Sequence, residues 1–377
     1  MNTLPTLTTA EIARYARHLI LGQIGMAGQQ RLKASRVLCV GTGGLGSPLL
    51  MYLAAAGVGR IGIVDFDVVD ESNLQRQVIH GSASVGRPKV QSAVERMADI
   101  NPHVQVDVFE EALTSANALA ILADYQVIVD GTDNFPTRYL VNDACEILGK
   151  PNVYGSVFGF EGQASVFNYQ DGPTYRDLYP EPPPPGMVPN CAEGGILGVL
   201  PGLIGLIQAT ETIKILLGLG QVLSGRLLLY DALAMRFREI RLRKRADAQP
   251  VTELIDYAQF CGIQPAPSPN GTFARISVQE AKAKLDAGWR PYVLDVRKPF
   301  EAEIARLPFT HRLHPHETVA EIAHELPRDR EILIYCRSGV RSAEACAILG
   351  ALGFRTLNLE GGINAWAQEI DPALPVY

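Results

Sequence analysis

The sequence predicts two α/β domains in series: a doubly wound first domain with a mainly parallel sheet, and a smaller α/β domain behind a linker. Three observations predict this. Short apolar runs alternate with helical stretches along most of the chain, which is the pattern of a parallel sheet with crossover helices. From Ala246 to Thr272 the alternation stops in a segment of Ala, Gln, Pro and Ser that ends PAPSPNGT, which is linker chemistry. A fresh strand–helix pattern then fills about 100 residues, enough for a small domain. The length of 377 residues suits two domains at about 150 residues each. The expected boundaries are 1–248, a linker at 249–274, and 275–377.

A polar helix is expected from Thr9 to Ile20, and RVLCV (Arg36 to Val40) reads as a buried strand. Gly41 to Gly46 forms a glycine turn into a helix, Leu49 to Ala56, and IGIVDFD (Ile61 to Asp67) is the second strand. Lys89 to Ile100 reads as a helix, and VQVDVFE (Val104 to Glu110) and YQVIVD (Tyr125 to Asp130) as further strands. Gln170 to Gly195 breaks the rhythm, because EPPPPGMVP can be neither helix nor central strand. A long irregular loop inside a domain is a functional signal. Gly225 to Arg245 reads as strands leading out of the domain, with RLRKR as a solvated strand end. Beyond the linker come a helix from Ser277 to Ala287, strands at Tyr292 to Val296 and Glu331 to Cys336, a helix from Ser342 to Leu352, and the closing run TLNLEGGINAW.

Composition excludes several classes. With 47% hydrophobic and 20% charged residues the chain is an ordinary globular protein. A net charge of −6 argues against a nucleic-acid binder that works by broad phosphate neutralisation. The longest uncharged stretch, Gly194 to Thr210, contains Pro201 and five glycines, whereas a membrane span needs about 20 apolar residues, so a buried helix is expected there. Met1 to Ile12 is polar and rich in Thr, so no signal segment is expected. None of the six cysteines forms a C-x-x-C pair, and a cytoplasmic protein with reduced thiols is expected.

GTGGLG (Gly41, Gly43, Gly46) has the spacing G-x-G-x-x-G between a strand and a helix. Such a turn lets backbone approach phosphate, with the helix N-terminus supplying amide donors. Asp65, at the end of the second predicted strand, is placed to accept from ribose hydroxyls. Asn73, Arg76, Lys89 and Asp133 follow strands or open helices, positions that converge at one end of a parallel sheet. Arg and Lys supply charge for a triphosphate and Asp133 can hold magnesium. The Walker motif G-x-x-x-x-G-K-[ST] is missing, which excludes a P-loop NTPase.

The runs RYARHLILGQIG (Arg14 to Gly25), GTGGLGSP, VDFDVVDESNLQRQVIH, GRPKV, DGTDNFPTRYLVND and PNCAEGGILGVLPGLIG, taken in order over about residues 5 to 245, resemble the MoeB/ThiF family. Members of that family are relatives of ubiquitin-activating enzymes and adenylate the C-terminus of a ubiquitin-like sulfur carrier. The resemblance implies a Rossmann-like adenylation domain that uses ATP and magnesium. It implies that nucleotide is bound by Gly41, Gly43, Gly44, Asp65, Ser72, Asn73, Leu74, Gln75, Arg76, Lys89, Asp133 and Asn134. It further implies magnesium on Asp133 and a catalytic arginine, Arg17, reaching across a homodimer. The carrier carboxylate attacks the α-phosphorus while cations stabilise the developing charge. Two departures stand out. The family commonly carries two C-x-x-C pairs on structural zinc, but the first reads Thr174-Tyr-Arg-Asp177 here and no Cys lies near Ala246 to Val251, so no zinc site is expected. GSVFGFEGQ (Gly155 to Gln163) lacks the Arg usually found after GSVF.

Two cysteines carry chemistry. Cys191, in PNCAEGG, follows the proline-rich loop and precedes a helix, where a thiol is acidified. It matches the family cysteine that takes the carrier's acyl group. Cys336 ends the strand EILIYC and begins CRSGVRS. A loop of Arg337, Ser338, Gly339, Val340 and Arg341 would wrap amides and two cations around a thiolate or persulfide. With YVLDVR (Asp295, Arg297) before it and LEGGINAW after it, this domain resembles a rhodanese, and its C-x4-R loop is the sulfur-sized version. The histidine-glycine pair usual near the domain's acidic start is replaced by Ile304-Ala305-Arg306. Cys39, Cys145, Cys261 and Cys346 read as structural.

The expectation is a MoeB–rhodanese fusion. Its first domain adenylates a carrier Gly-Gly carboxylate, and its second delivers sulfane sulfur, taken from a persulfide or thiosulfate donor, on Cys336. Two alternatives are an NAD-linked oxidoreductase with an accessory rhodanese and a non-catalytic carrier-docking scaffold. The first leaves Arg76, Lys89 and Asp133 without work beside a nicotinamide, and the second leaves the whole ionic set without work.

Overall fold

RVLCV and RIGIV form β1 (Arg36–Val40) and β2 (Arg60–Val64), which run parallel and in register from Arg36 opposite Arg60 to Val40 opposite Val64. Their side chains alternate between two cores, as a period of two requires. Val37 and Cys39 point to one face with Leu49, Leu53 and Met97, and Leu38 and Val40 to the other with Leu122, Tyr139 and Leu140. Both faces of the sheet are therefore covered, which is why these strands read as unbroken apolar runs. The computed structural model describes residues 4–183, 195–262 and 273–377, in two units, Met1–Gln264 and Pro265–Tyr377.

The first unit adds β3 (Gln105–Phe109), β4 (Val127–Asp130), β5 (Asn152–Phe158), β6 (Glu161–Phe167), β7 (Arg226–Asp231) and β8 (Arg236–Arg241), in the order β3-β2-β1-β4-β5-β6-β7-β8. The strands from β3 to β5 are parallel, and β5 to β8 form an antiparallel meander. The order reverses between β1 and β4, and a crevice opens at such a switch point. The helix Val199–Leu217 has a mean hydropathy of 1.4 and a membrane-crossing length, but it packs on β5 and on the helix Gly46–Ala56. Its buried Gln208 donates to the carbonyls of Asp130 (2.7 Å) and Val153 (3.0 Å), tying it to the ends of β4 and β5.

The second unit is a five-stranded parallel sheet, β11-β10-β12-β13-β9, from β9 (Ala274–Ile276), β10 (Tyr292–Asp295), β11 (Arg312–Leu313), β12 (Ile332–Tyr335) and β13 (Thr356–Leu359). It too is buried on both faces, around Leu333, Leu359 and Trp366 on one side and Leu294, Ile334 and Leu349 on the other.

Several expectations change. The helix expected from Thr9 to Ile20 breaks at Tyr15 into Thr9–Arg14 and Ala16–Leu19. Tyr15 is buried there, with its hydroxyl accepting from Asn101 Nδ2 at 2.8 Å. The second strand stops at Val64, and Asp65 to Asp67 turn out of the sheet. GSVFGFEGQ proves to be the tip of the β5–β6 hairpin, and the sequence reading missed the helix Phe135–Leu148. Residues 249–262, expected as linker, pack onto the first unit: Tyr257 and Cys261 are buried, and the helix Tyr257–Phe260 lies against Phe135–Leu148.

That packing closes the corner where the family's cysteine pairs would lie. Asp143 is buried and accepts from Arg176 Nε (2.8 Å) and Nη2 (2.7 Å) and from the Tyr257 hydroxyl (2.7 Å). The Arg176 guanidinium lies over the rings of Tyr139 and Phe260. Asp177 Oδ2 accepts from Thr174 N at 2.7 Å and its Oδ1 from Arg245 N at 2.8 Å, so the Thr174–Asp177 turn is joined to the chain beyond β8. Removing one partner of a buried ion pair strands the other charge, which costs about 3–5 kcal/mol. Arg176 is itself a quarter exposed, so Asp143→Ala is expected to lower first-unit stability by less than that, on the order of 2 kcal/mol in denaturant titration, while chelators leave the wild type unchanged and elemental analysis finds no stoichiometric zinc.

Candidate active sites

The first site is the crevice at the β1/β4 switch point, a cleft of about 260 Å³. Gly41, Gly43, Gly44, Asp65, Arg76, Lys89, Asp133 and Asn134 all line it, although the sequence separates them by up to 93 positions. Glycine is required at the turn by contact as well as by conformation. Gly41 has φ +92°, and a Cβ on Gly46 would sit 2.2 Å from the Gly41 carbonyl oxygen.

Asp65 is fixed by its neighbours. Oδ2 accepts from the amide and hydroxyl of Thr42, both at 2.8 Å, and Oδ1 accepts from Asp67 N at 3.0 Å. Lys89 opens the helix Lys89–Ile100, where the helix dipole disfavours a cation. Its ammonium is nevertheless nearly buried and pairs with Asp67 at 2.8 Å. A lysine held at such a position against the dipole is one that an anionic ligand would repay. Asp133 is exposed in the cleft, and Asn134 caps the helix Phe135–Leu148 by accepting from Thr137 N at 3.0 Å.

Other expected contacts fall elsewhere. Ser72, Asn73, Leu74 and Gln75 do not line the cleft; they build the turn that presents Arg76. Asp70 Oδ1 accepts from Ser72 N at 2.8 Å, Asn73 Oδ1 accepts from Asp70 N, and Arg76 Nη1 donates to Ser72 O at 3.0 Å. Gln75 instead lies against Gly198, just before the long apolar helix. Arg17 is exposed on the helix Ala16–Leu19 and does not line its own chain's cleft. Cys191 lies outside the described residues.

The sequence reading missed Gln77, Leu113 and Thr137, which also line the cleft, and the buried Asp130 that ends β4 next to the lining residue Gly131. Asp130 Oδ1 accepts from the amide and hydroxyl of Thr132, while Oδ2 is buried with no hydrogen-bond partner among the described residues. Burial pushes its carboxyl up, against the nearby Arg138 charge and the Thr132 bonds.

The second site surrounds Cys336, which follows β12 and is buried. Its Sγ accepts from Gly339 N at 3.1 Å and from Ser342 Oγ at 3.4 Å. Gly339, at φ +93°, turns the chain into the helix Val340–Ala351, whose N-terminus faces the sulfur loop. The carbonyls of Cys336 and Arg337 accept from Ile363 N (2.9 Å) and Asn364 N (3.1 Å). Donors and a helix N-terminus together stabilise a thiolate or persulfide. Both loop arginines have partners within the second unit. Arg341 forms a two-bond pair with Glu301 at 2.6 and 2.8 Å, and Arg337 lies over the ring of Tyr377. Burial pulls the Glu301 carboxyl up, but Arg341, the Lys298 amide and Arg297 outweigh it and keep it below the usual range. Asp295 and Arg297 form a fully buried pair, and the Tyr335 hydroxyl donates to Asp295 at 2.8 Å, tying β10 to β12 beside the loop.

The ThiF family profile matches residues 15–251. The chain belongs to the ThiF family. The Rhodanese-like domain profile matches residues 277–369 of this ThiF-family chain. The chain is 51% identical over 382 residues to the probable adenylyltransferase/sulfurtransferase MoeZ of Mycobacterium tuberculosis, covering 98% of this chain and 96% of that protein. It is 43% identical over 401 residues to the adenylyltransferase and sulfurtransferase MOCS3 of Culex quinquefasciatus, covering 100% and 92%. The fold is shared with PaaA (TM-score 0.55, 21% identity, 65% of this chain and 78% of that one) and with Escherichia coli MccB solved with AMPCPP and MccA (TM-score 0.56, 16% identity, 64% and 74%). This ThiF-family chain is thus a bifunctional adenylyltransferase and sulfurtransferase, and it uses ATP.

Proposed function

We propose that the first unit adenylates the C-terminal Gly-Gly carboxylate of a ubiquitin-like sulfur carrier, and that Cys336 then supplies the sulfur that turns the acyl-adenylate into a thiocarboxylate. The observation that carries this reading is the convergence of Arg76, Lys89, Asp65 and Asp133 on one glycine-floored cleft. Asp65, held by Thr42, suits a ribose, and Arg76 and Lys89 suit a triphosphate. The carboxylate oxygens in the cleft are the hard donors that magnesium prefers, and Asp133 would hold it. Bound there, the metal would supply charge neutralisation on the phosphates.

A carrier carboxylate oxygen bonds to the α-phosphorus and pyrophosphate leaves. The terminal sulfur of a Cys336 persulfide, loaded from a persulfide or thiosulfate donor, bonds to the acyl carbon and AMP leaves. Attack by Cys191 on the Cys336 sulfur then frees the carrier thiocarboxylate and leaves a Cys191–Cys336 disulfide, which a thiol reductant reopens. Arg17 acts from a second copy of the chain. Beside it, Ile20, Leu21, Met26 and Tyr52 are exposed apolar side chains, and a shallow apolar groove runs between Tyr52 and Leu206. A homodimer through the first unit would cover this surface.

Two assays test the reading. Incubation with ATP, thiosulfate and a Gly-Gly carrier is expected to yield the carrier thiocarboxylate by mass spectrometry. Mixing two inactive variants, Arg17→Ala and Asp133→Ala, is expected to restore about a quarter of wild-type pyrophosphate exchange, because each mixed dimer regains one complete site. No recovery after subunit exchange would place Arg17 in its own chain's site or outside the chemistry.

A further inference from the structure

Tyr377 belongs to no motif and lies 36 positions beyond Arg341, yet it touches both arginines of the sulfur loop or their partners. The Arg337 guanidinium lies 5.5 Å from the Tyr377 ring centroid. The Tyr377 hydroxyl accepts from Arg297 Nη1 and stands 3.5 Å from Glu301 Oε1, the oxygen that also accepts from Arg341 Nη2. The residue is anchored as well, because its carbonyl accepts from Asn364 Nδ2 at 3.2 Å and Asn364 N caps the Arg337 carbonyl. One phenol thus closes a ring of contacts that runs Arg297, Tyr377, Glu301, Arg341, with Arg337 resting on its face. Arg297 is itself immobilised by the buried Asp295 and by the carbonyls of Glu301 (3.3 Å) and Ala305 (2.8 Å).

A loop that must present amides to sulfur gains from having its two longest side chains fixed. Each free arginine carries several rotatable bonds, and its motion would be passed to the backbone that aims Gly339 N at the sulfur. A guanidinium over an aromatic face is held by the ring quadrupole as well as by contact.

We propose that Tyr377 is a positioning residue of the sulfur-transfer site, which clamps Arg337 with its ring and the Glu301–Arg341 pair with its hydroxyl so that the loop stays curled around Cys336. The proposal rests on the reading of Cys336 as the sulfur carrier.

The test uses the full chain and two substitutions. Tyr377→Ala removes ring and hydroxyl, while Tyr377→Phe keeps the ring over Arg337. Thiosulfate-to-cyanide transfer gives kcat and KM, and iodoacetamide alkylation of Cys336 across pH, read by mass spectrometry, gives the thiolate midpoint. Tyr377→Ala is expected to lower kcat/KM on the order of tenfold and to raise the alkylation midpoint, because a loop with its arginines released no longer holds the Gly339 amide on the sulfur. Tyr377→Phe is expected to keep the wild-type midpoint and to recover most of kcat/KM. A merely structural role would move stability and leave the midpoint of the folded fraction unchanged, and that result overturns the proposal. Wild-type behaviour of Tyr377→Ala beside an inactive Cys336→Ala overturns the clamp alone. Transfer persisting in Cys336→Ala overturns the reading of Cys336 and the clamp with it.

Discussion

Cys336→Ala is expected to lose both thiosulfate sulfurtransfer and thiocarboxylate formation on the carrier, while carrier-dependent pyrophosphate exchange stays at the wild-type level. The sulfur lies in its own folded unit, whose parallel sheet and two cores are complete without the first. The described residues that line the adenylation cleft run from Val40 to Pro201, in the first unit. Alanine at this site removes an acceptor of two hydrogen bonds and leaves the Gly339 amide and the Ser342 hydroxyl without that partner. This is a loss of order 1–3 kcal/mol in one unit, which circular dichroism melting would register without abolishing the fold. The chemical loss is complete because no other group in the loop can carry sulfane sulfur. Cys191→Ala, by contrast, is expected to keep exchange and Cys336 persulfide formation and to lose turnover only. Thiocarboxylate formed from thiosulfate at the wild-type rate by Cys336→Ala would remove the second unit from the sulfur path.

Asp133→Ala is expected to abolish pyrophosphate exchange with the fold intact. Asp133 is exposed at the cleft mouth, one residue before the cap of the helix Phe135–Leu148, and that cap is made by Asn134. The substitution therefore spares the helix start and removes only a carboxylate that lines the cleft. Without it the magnesium that would neutralise a departing pyrophosphate lacks its proposed ligand, and losses of 10²-fold or more follow from single deletions of this kind, on the order of 3 kcal/mol in the barrier. Asp130→Ala would be a poor substitute for this test. Asp130 is buried, ties down Thr132 and sits at the end of β4, so its loss would confound folding with chemistry.

The parts of the molecule legible in the sequence were those with local periodicity or local turn chemistry. The β1 run, the glycine turn and Asp65 follow one another along 30 residues, and each forces the next. Lys89 and Asp133 were legible because helix starts after parallel strands share one end of the sheet. Ser72, Leu74 and Gln75 are ligands only by family resemblance and Asn73 by its place beyond a strand, and hydrogen bonding within the turn, from Asp70 to Arg76, occupies this segment in the structure. Gln77 and Thr137 reach the cleft through tertiary packing, which no spacing announces. The same holds for Tyr257 on Asp143, 114 positions apart, and for Tyr377 on Arg297, 80 apart. In each case a polar group seeks a partner that only the finished fold supplies.

The corner built on Asp143 exchanges one vulnerability for another. A metal staple fails when ligands are oxidised or the ion is sequestered, but a carboxylate, guanidinium and phenol have no such liability. Their weakness is base. Burial, and then the hydrogen bond to Asp143, push the Tyr257 phenol well above its ordinary value, and burial does the same for Tyr139 and Tyr175 in the same core. In the unfolded chain these phenols ionise near pH 10. In the folded chain they hold their protons beyond that, so the stability they contribute is whole below about pH 10 and drains away as the pH climbs past it. The Asp143 corner is thus set to weaken only in alkali, through its phenols and not through a thiol.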